Sequence, residues 1–389
     1  MSTNSNRKDT PPTTKSIAAQ ELPADEPLGM LEPVAYFNGA MPTGVTVSHK
    51  GRIFVNFPRW GDDVPFTVSE IRDGEAVAYP DGRLNQTDPN DPAAALVSVQ
   101  SVVVDPADRL WILDTGSPMF QPTKYGGPKL VCVDLATDKV VKKILFSQDV
   151  ALPTTYLNDV RFDLRRGGSS SEGMAFITDS SQNGPNGIIV VDLASGKSWR
   201  RLHDHPSTRA EQLQTFLPIV EGRPFLEHQS DGSVKQGADM GSDGIAISSD
   251  GTRLYYCPLG SRKLYSVDTG ALADQSLDDR KAGATVTDEG DRGGASDGLE
   301  SDAAGYIYST NYEHNSILRR RPGGEWETVA HDPRLLWPDT LSLAVDGYLY
   351  VTANQLHRQS RFHNGRDLRR KPYVLFRIRI DAQPVLLRR

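Results

Sequence analysis

Six times along the chain a short apolar run closes in a tight acidic, serine or glycine turn and restarts as an aromatic-rich run. The pairs occupy residues 45–48 and 52–57, 102–105 and 109–113, 160–163 and 174–178, 244–248 and 253–256, 298–302 and 306–310, and 341–345 and 348–352. The runs are short, rich in β-branched and aromatic residues and bounded by turn residues, which predicts strands rather than helices. Copies spaced roughly 40–80 residues apart indicate radial or stacked repeats. Six of them predict an all-β fold, a six-bladed β-propeller.

Most pairs are followed by a loop and further strand-like runs, at 129–134 with 139–145, 187–192 with 198–202, 263–268, and 316–321 with 325–330. Blades of four strands follow. The last blade has an inner pair and the run 373–380 but no fourth strand, whereas an orphan run at 33–37 precedes the first blade. The N-terminal strand is therefore expected to close the last blade, hiding two edges that would otherwise pair with other chains.

The repeats extend from Pro33 to Ile380 without a linker, so residues 27–389 read as one propeller domain. Residues 1–26, rich in Ser, Thr, Asn, Pro and charge, read as a disordered N-terminal segment. They hold no apolar run with a basic flank and a small-residue cleavage site, which points to a cytoplasmic protein. No apolar run is long enough for a membrane-spanning helix, so no membrane partner is expected. A net charge of −7 argues against nucleic acid, although Arg366, Arg369, Arg370, Lys371, Arg377 and Arg379 form a basic cluster that reads as a solvated blade surface. Cys132 and Cys257 read as small buried apolar residues rather than a disulfide. Oligomeric state is left open.

Because successive strands alternate direction, the loops between second and third strands and the crossings between blades emerge on one face. That face is the place for a small-molecule ligand or substrate, since loops on a rigid scaffold carry binding groups. Trp60, Tyr125, Tyr156, Tyr312 and Asn354 lie on it as candidate ligand-binding residues. The innermost strands also start there, at Thr43, at Gln100 or Ser101, at Asn158 with Asp159, and at Asp243, Asp297 and Asp339. Carboxylates converging on a confined channel repel one another, so either a cation neutralises them or their pKa values rise. Oxygen-only donors suit Ca²⁺ or Mg²⁺, with Asn158, Asp243 and Asp297 as candidate metal ligands. Asp297 and Asp339, joined by the loop histidines His314 and His357, are the candidate catalytic residues. Each Asp-Gly or Asn-Asp pair is also an ordinary turn cap. His203, His205 and His228 in the long crossing lack a further ligand at recognisable spacing. No serine nucleophile elbow, HExxH, P-loop or dinucleotide glycine motif occurs.

Four segments carry a resemblance: GVTVSHKGRIFVNFPRW (residues 44–60), QSVVVDPADRLWILDTG (100–116), DGIAISSDGTRLYYCPLGSRKLYSVDT (243–269) and WPDTLSLAVDGYLYVTANQLHR (337–358). They resemble the yellow/major royal jelly protein family, and more distantly the gluconolactonase/senescence-marker propellers. The first resemblance implies a six-bladed propeller. Its insect members are secreted and disulfide-bonded, so this chain looks like a microbial, intracellular branch. Yellow-type members imply dopachrome isomerisation, royal jelly members a nutritional, binding or assembly role, and the distant relatives metal-dependent lactone hydrolysis. Asn158 with Asp159 and Asp297 with Gly298 are similar to two metal-side motifs of those hydrolases. Asp243 with Gly244 stands where they have Asn-Gly, and Thr43 where they have a glutamate.

The expected function is metal-assisted lactone hydrolysis at the channel mouth. The alternatives are a tautomerase or isomerase at the same place, and a non-catalytic small-molecule-binding propeller. A protein-interaction scaffold is the remaining reading, favoured if residues 115–128 or 355–371 plug the mouth.

Overall fold

The acidic turn and the aromatic strand after it are one device. Asp105 accepts hydrogen bonds from the backbone N–H groups of Ala107 and Arg109 and, at 2.8 Å each, from the Arg109 guanidinium and the Trp111 indole. Asp302 does the same for the N–H groups of Ala304 and Tyr306 and the Tyr308 hydroxyl, and Asp346 for Tyr348 N–H and the Tyr350 hydroxyl. A side chain two residues into the second strand thus ties back to the turn carboxylate. The turn is capped and the hairpin register is set together.

The computed structural model describes residues 25–166 and 172–388. Six four-stranded antiparallel sheets are arranged as the blades of a propeller. Their innermost strands are Val45–Val47, Val99–Val104, Leu157–Asp163, Ser242–Ile247, Leu299–Ser301 and Pro338–Leu343. The first blade gains an outer hairpin, Val68–Arg72 with Glu75–Ala78, and the fourth an outer strand Thr287–Asp291. Neither was legible in the sequence. Thr287–Asp291 reads TDEGD, with none of the alternation of a packed strand, and follows two short helices, Thr269–Ala273 and Asp279–Gly283.

Closure occurs as expected, with Leu31–Phe37 pairing antiparallel to Tyr373–Arg379 as the outermost strand of the sixth blade. The expected disorder of residues 1–26 falls almost wholly outside the described residues. Apolar faces of adjacent blades interlock, as where Trp111, Leu130, Val160, Ile177 and Ile189 share one buried cluster. Among the described residues no helix is long and apolar enough to cross a membrane.

A buried ion pair supports the second blade. Lys129 Nζ lies 2.8 Å from Asp114 Oδ2 with both side chains fully buried, and Asp114 also accepts from the N–H groups of Val97 and Ser98. Removing one partner strands the other charge away from water, so Lys129→Met is expected to cost about 3 kcal/mol in urea denaturation. A midpoint unchanged from wild type would contradict this.

Candidate functional site

Four of the inner strands carry a register irregularity at their first residues, between Val99 and Ser101, Leu157 and Val160, Ser242 and Ile245, and Pro338 and Leu341. Such bulges re-aim side chains, and here they fall where Asp159, Asp243 and Asp339 stand. The glycines after two of the acids serve a second purpose. A Cβ on Gly244 would sit 2.5 Å from the Asp297 carbonyl oxygen, and one on Gly298 2.3 Å from that of Asp339. Only glycine lets the neighbouring inner strands come this close, so the Asp-Gly pairs bring the acids of blades four, five and six together.

Asp243, Asp297 and Asp339 form one interacting cluster. A hydrogen bond joins the side chains of Asp243 and Asp297. Trp337 Nε1–H donates to Asp297 Oδ2 at 2.7 Å, while Asn354 Nδ2–H and the Thr340 hydroxyl donate to Asp339 at 2.6 and 3.1 Å. Burial, and after it the charge of Asp297, pushes Asp243 and Asp339 well above the usual carboxylate range. Burial also raises Asp297, but the Trp337 and Asp243 hydrogen bonds hold it to about 6. Of the three carboxyls Asp297 is held lowest and is the first to ionise.

Asp159 belongs to a different network. It accepts from the Ser101 hydroxyl at 2.6 Å and pairs with Arg161 at 2.8 Å. Arg161 also donates to the Leu299 carbonyl and lies 3.8 Å from Glu300. It lines a small cavity of about 70 Å³ on the side of the short turns, which residues Pro384–Leu386 help to close. Arg161 therefore neutralises one of the acids expected to converge on the channel and helps wall the channel from below. Its position two residues after Asp159 in one strand, hence on the same face, was the available signal.

The remaining candidates divide. The Trp60 indole donates to the Tyr156 hydroxyl at 2.8 Å, and Phe120 stacks on both rings. Tyr156 also donates its hydroxyl to Gln100 Oε1 at 3.1 Å. Tyr312 stacks flat on Trp337 with ring centroids 4.1 Å apart. His357, buried, also stacks on Trp337, at 5.8 Å between centroids, and shares a 2.9 Å hydrogen bond with Glu221, so it reaches the carboxyls only through the indole. His314 is exposed, its carbonyl taken by His331, and Tyr125 is 61% exposed; neither touches the cluster. Asn158 is nearly buried and donates to the Ser180 hydroxyl. Trp337 was not singled out in the sequence; its backbone has a positive φ of 57°, and its indole is the donor to Asp297.

The mouth above the carboxyls is covered. Phe216, Phe225 and Met240 of the long crossing and Leu356 and Phe362 of the 355–371 loop share one buried cluster with Tyr156, Tyr312 and Trp337. Asn158, Asp159 and Asp297 each keep 7% of their surface accessible, enough for a water-sized group beside them. The oxygen-only donors suit a hard divalent ion in kind. In arrangement they fall short, because among the described residues no three His, Cys, Asp or Glu side chains are grouped to hold a metal.

Comparison with known proteins agrees with this architecture. A regucalcin from Agrobacterium tumefaciens, described as calcium-binding, superposes with a TM-score of 0.53 at 15% identity, covering 92% of this chain and 98% of its own. A luciferin-regenerating enzyme gives 0.55 at 11% identity over 94% and 100% of the two chains. A gluconolactonase from Xanthomonas campestris gives 0.51 at 13% identity over 91% and 94%. Likenesses at such identity establish the fold. In sequence, the yellow proteins of Drosophila erecta and Drosophila melanogaster are each 30% identical over 251 residues, 61% of this chain. The match spans 42% of the length of each of those relatives. The major royal jelly protein family model matches residues 97–380, nearly three quarters of the chain, and the protein belongs to that family.

Proposed function

We propose that this propeller is a small-molecule enzyme that moves protons with its axial carboxyls, acting on a carbonyl compound beside Asp297. The observation that carries the proposal is the buried meeting of Asp243, Asp297 and Asp339, where burial raises all three carboxyls and the Trp337 indole, 2.7 Å away, holds Asp297 to about 6. A base poised near the working pH is what proton transfer requires. Lactone opening is the leading reaction: Asp297 accepts a proton from the attacking water, and Asp243 or Asp339 supplies one to the leaving oxygen. Enolisation or tautomerisation uses the same groups, with Asp297 removing a proton beside the carbonyl. The substrate reaches them only when the lid of Phe225 and Phe362 parts. The two buried free thiols, Cys132 and Cys257, suit a reducing, cytoplasmic setting.

A second reading keeps the reaction and replaces the shared proton by Ca²⁺ or Mg²⁺ held by Asn158, Asp243 and Asp297. Mutual repulsion of buried carboxyls favours it, because a cation would relieve it, and the propeller likeness includes a calcium-binding protein. The purified full chain is assayed on small lactones and on enolisable carbonyl compounds, before and after EDTA. Turnover and melting unchanged by EDTA are expected for the proton-sharing pair; stoichiometric metal and a lowered melting temperature after EDTA favour the cation. Absence of turnover on both substrate classes would reject the enzymatic reading.

A further inference from the structure

Outside the aromatic lid lies a groove of about 1020 Å³ between the hairpins of the long crossing and the 357–370 loop. Its charge is one-sided. Glu221 is taken by Arg358 and His357, and Asp367 by Arg369, which also binds Asp62. The guanidinium groups of Arg223, Arg366 and Arg370, which line the same groove, form no ion pair among the described residues. Three unmatched arginines, all exposed to solvent, thus line one open groove on a chain whose net charge is −7. Self-repulsion disfavours such a gathering unless something anionic joins it.

We propose that this groove binds a small polyanion, an organic molecule carrying two or more phosphate or carboxylate groups. Planar guanidinium groups match such oxygens in bidentate fashion. The volume suits a small ligand. The site is separate from the axial carboxyls, so it stands or falls without them.

Isothermal titration of the full chain with inorganic pyrophosphate and with citrate tests the groove. Saturable binding is expected for at least one probe, weakened about tenfold or more in the double variant Arg366→Gln/Arg370→Gln and unchanged in Lys139→Gln, an exposed cation on the outer strand of blade two. Arg223→Gln provides an independent variant on the opposite wall, with the same expected loss. Neither set removes a pairing used by the fold. Lack of saturable binding by both probes at about 10 mM, equal affinity in wild type and the arginine variants, or equal weakening by Lys139→Gln overturns the proposal. Displacement of both probes by a short DNA duplex that binds more tightly would equally overturn it, in favour of a polymer surface.

Discussion

Deleting residues through Phe37 is expected to leave a chain that is insoluble or melts more than about 10 °C below the full protein. The deleted strand is the outermost of the sixth blade, and its removal exposes the whole edge of Tyr373–Arg379. It also removes three buried apolar side chains, Leu31, Ala35 and Phe37, the last packed edge-on against Phe57 in the first blade. Truncating a buried Leu or Phe costs about 2–5 kcal/mol each. The sum approaches the entire stability of an ordinary domain, about 5–15 kcal/mol. Phe37→Ala, which keeps the strand, should cost about 3–5 kcal/mol by itself. Differential scanning calorimetry of the two variants decides the matter: a truncation melting within a degree or two of wild type would mean that closure of the ring contributes little.

Asp297→Asn is expected to abolish turnover while stabilising the protein above neutral pH. Loss of a positioned base typically removes a factor of about 10²–10⁴, and the substitution keeps an oxygen to accept from Trp337. The stability effect follows from protons. Folded Asp297 holds its proton to about pH 6, whereas the unfolded chain releases it near the ordinary value of 3.8. Between those values the folded state binds more protons, so this group's contribution is most favourable below about pH 4 and declines as pH rises through about 6. Above that the cost is constant, on the order of 2–3 kcal/mol. Asparagine removes it. Urea denaturation at pH 8 should therefore favour the variant and at pH 4 should not; a variant destabilised equally at both values would refute the raised pKa, and one with full activity would refute the role.

These two expectations rest on parts of the chain that differ in how openly they are written. Strand closure was legible because an unmatched strand at one end and an incomplete blade at the other are both local patterns. The Asp-Gly starts were legible too, although their physical reason, backbone carbonyls 2.3–2.5 Å from where a Cβ would be, exists only between blades. Asp159 differs locally from Asp243 in having Arg161 two residues on, where Asp243 has Ile245. The Ser101 hydroxyl on Asp159 and the second carboxyl beside Asp243 come from other blades. His314 and His357 are alike as loop histidines, yet one is exposed and the other is buried against Trp337 and hydrogen-bonded to Glu221, 136 positions away.

From its own order of residues the chain determined six repeats, their tight turns, the closing strand and the set of acids that begin inner strands, since all of these depend on alternation and turn chemistry over a few neighbours. Tertiary structure alone decided which acids share a proton, which is neutralised, what covers the mouth and where unmatched arginines gather. Those outcomes depend on distances between side chains far apart in sequence, and on burial, which raises the energy of a charge according to what surrounds it in space.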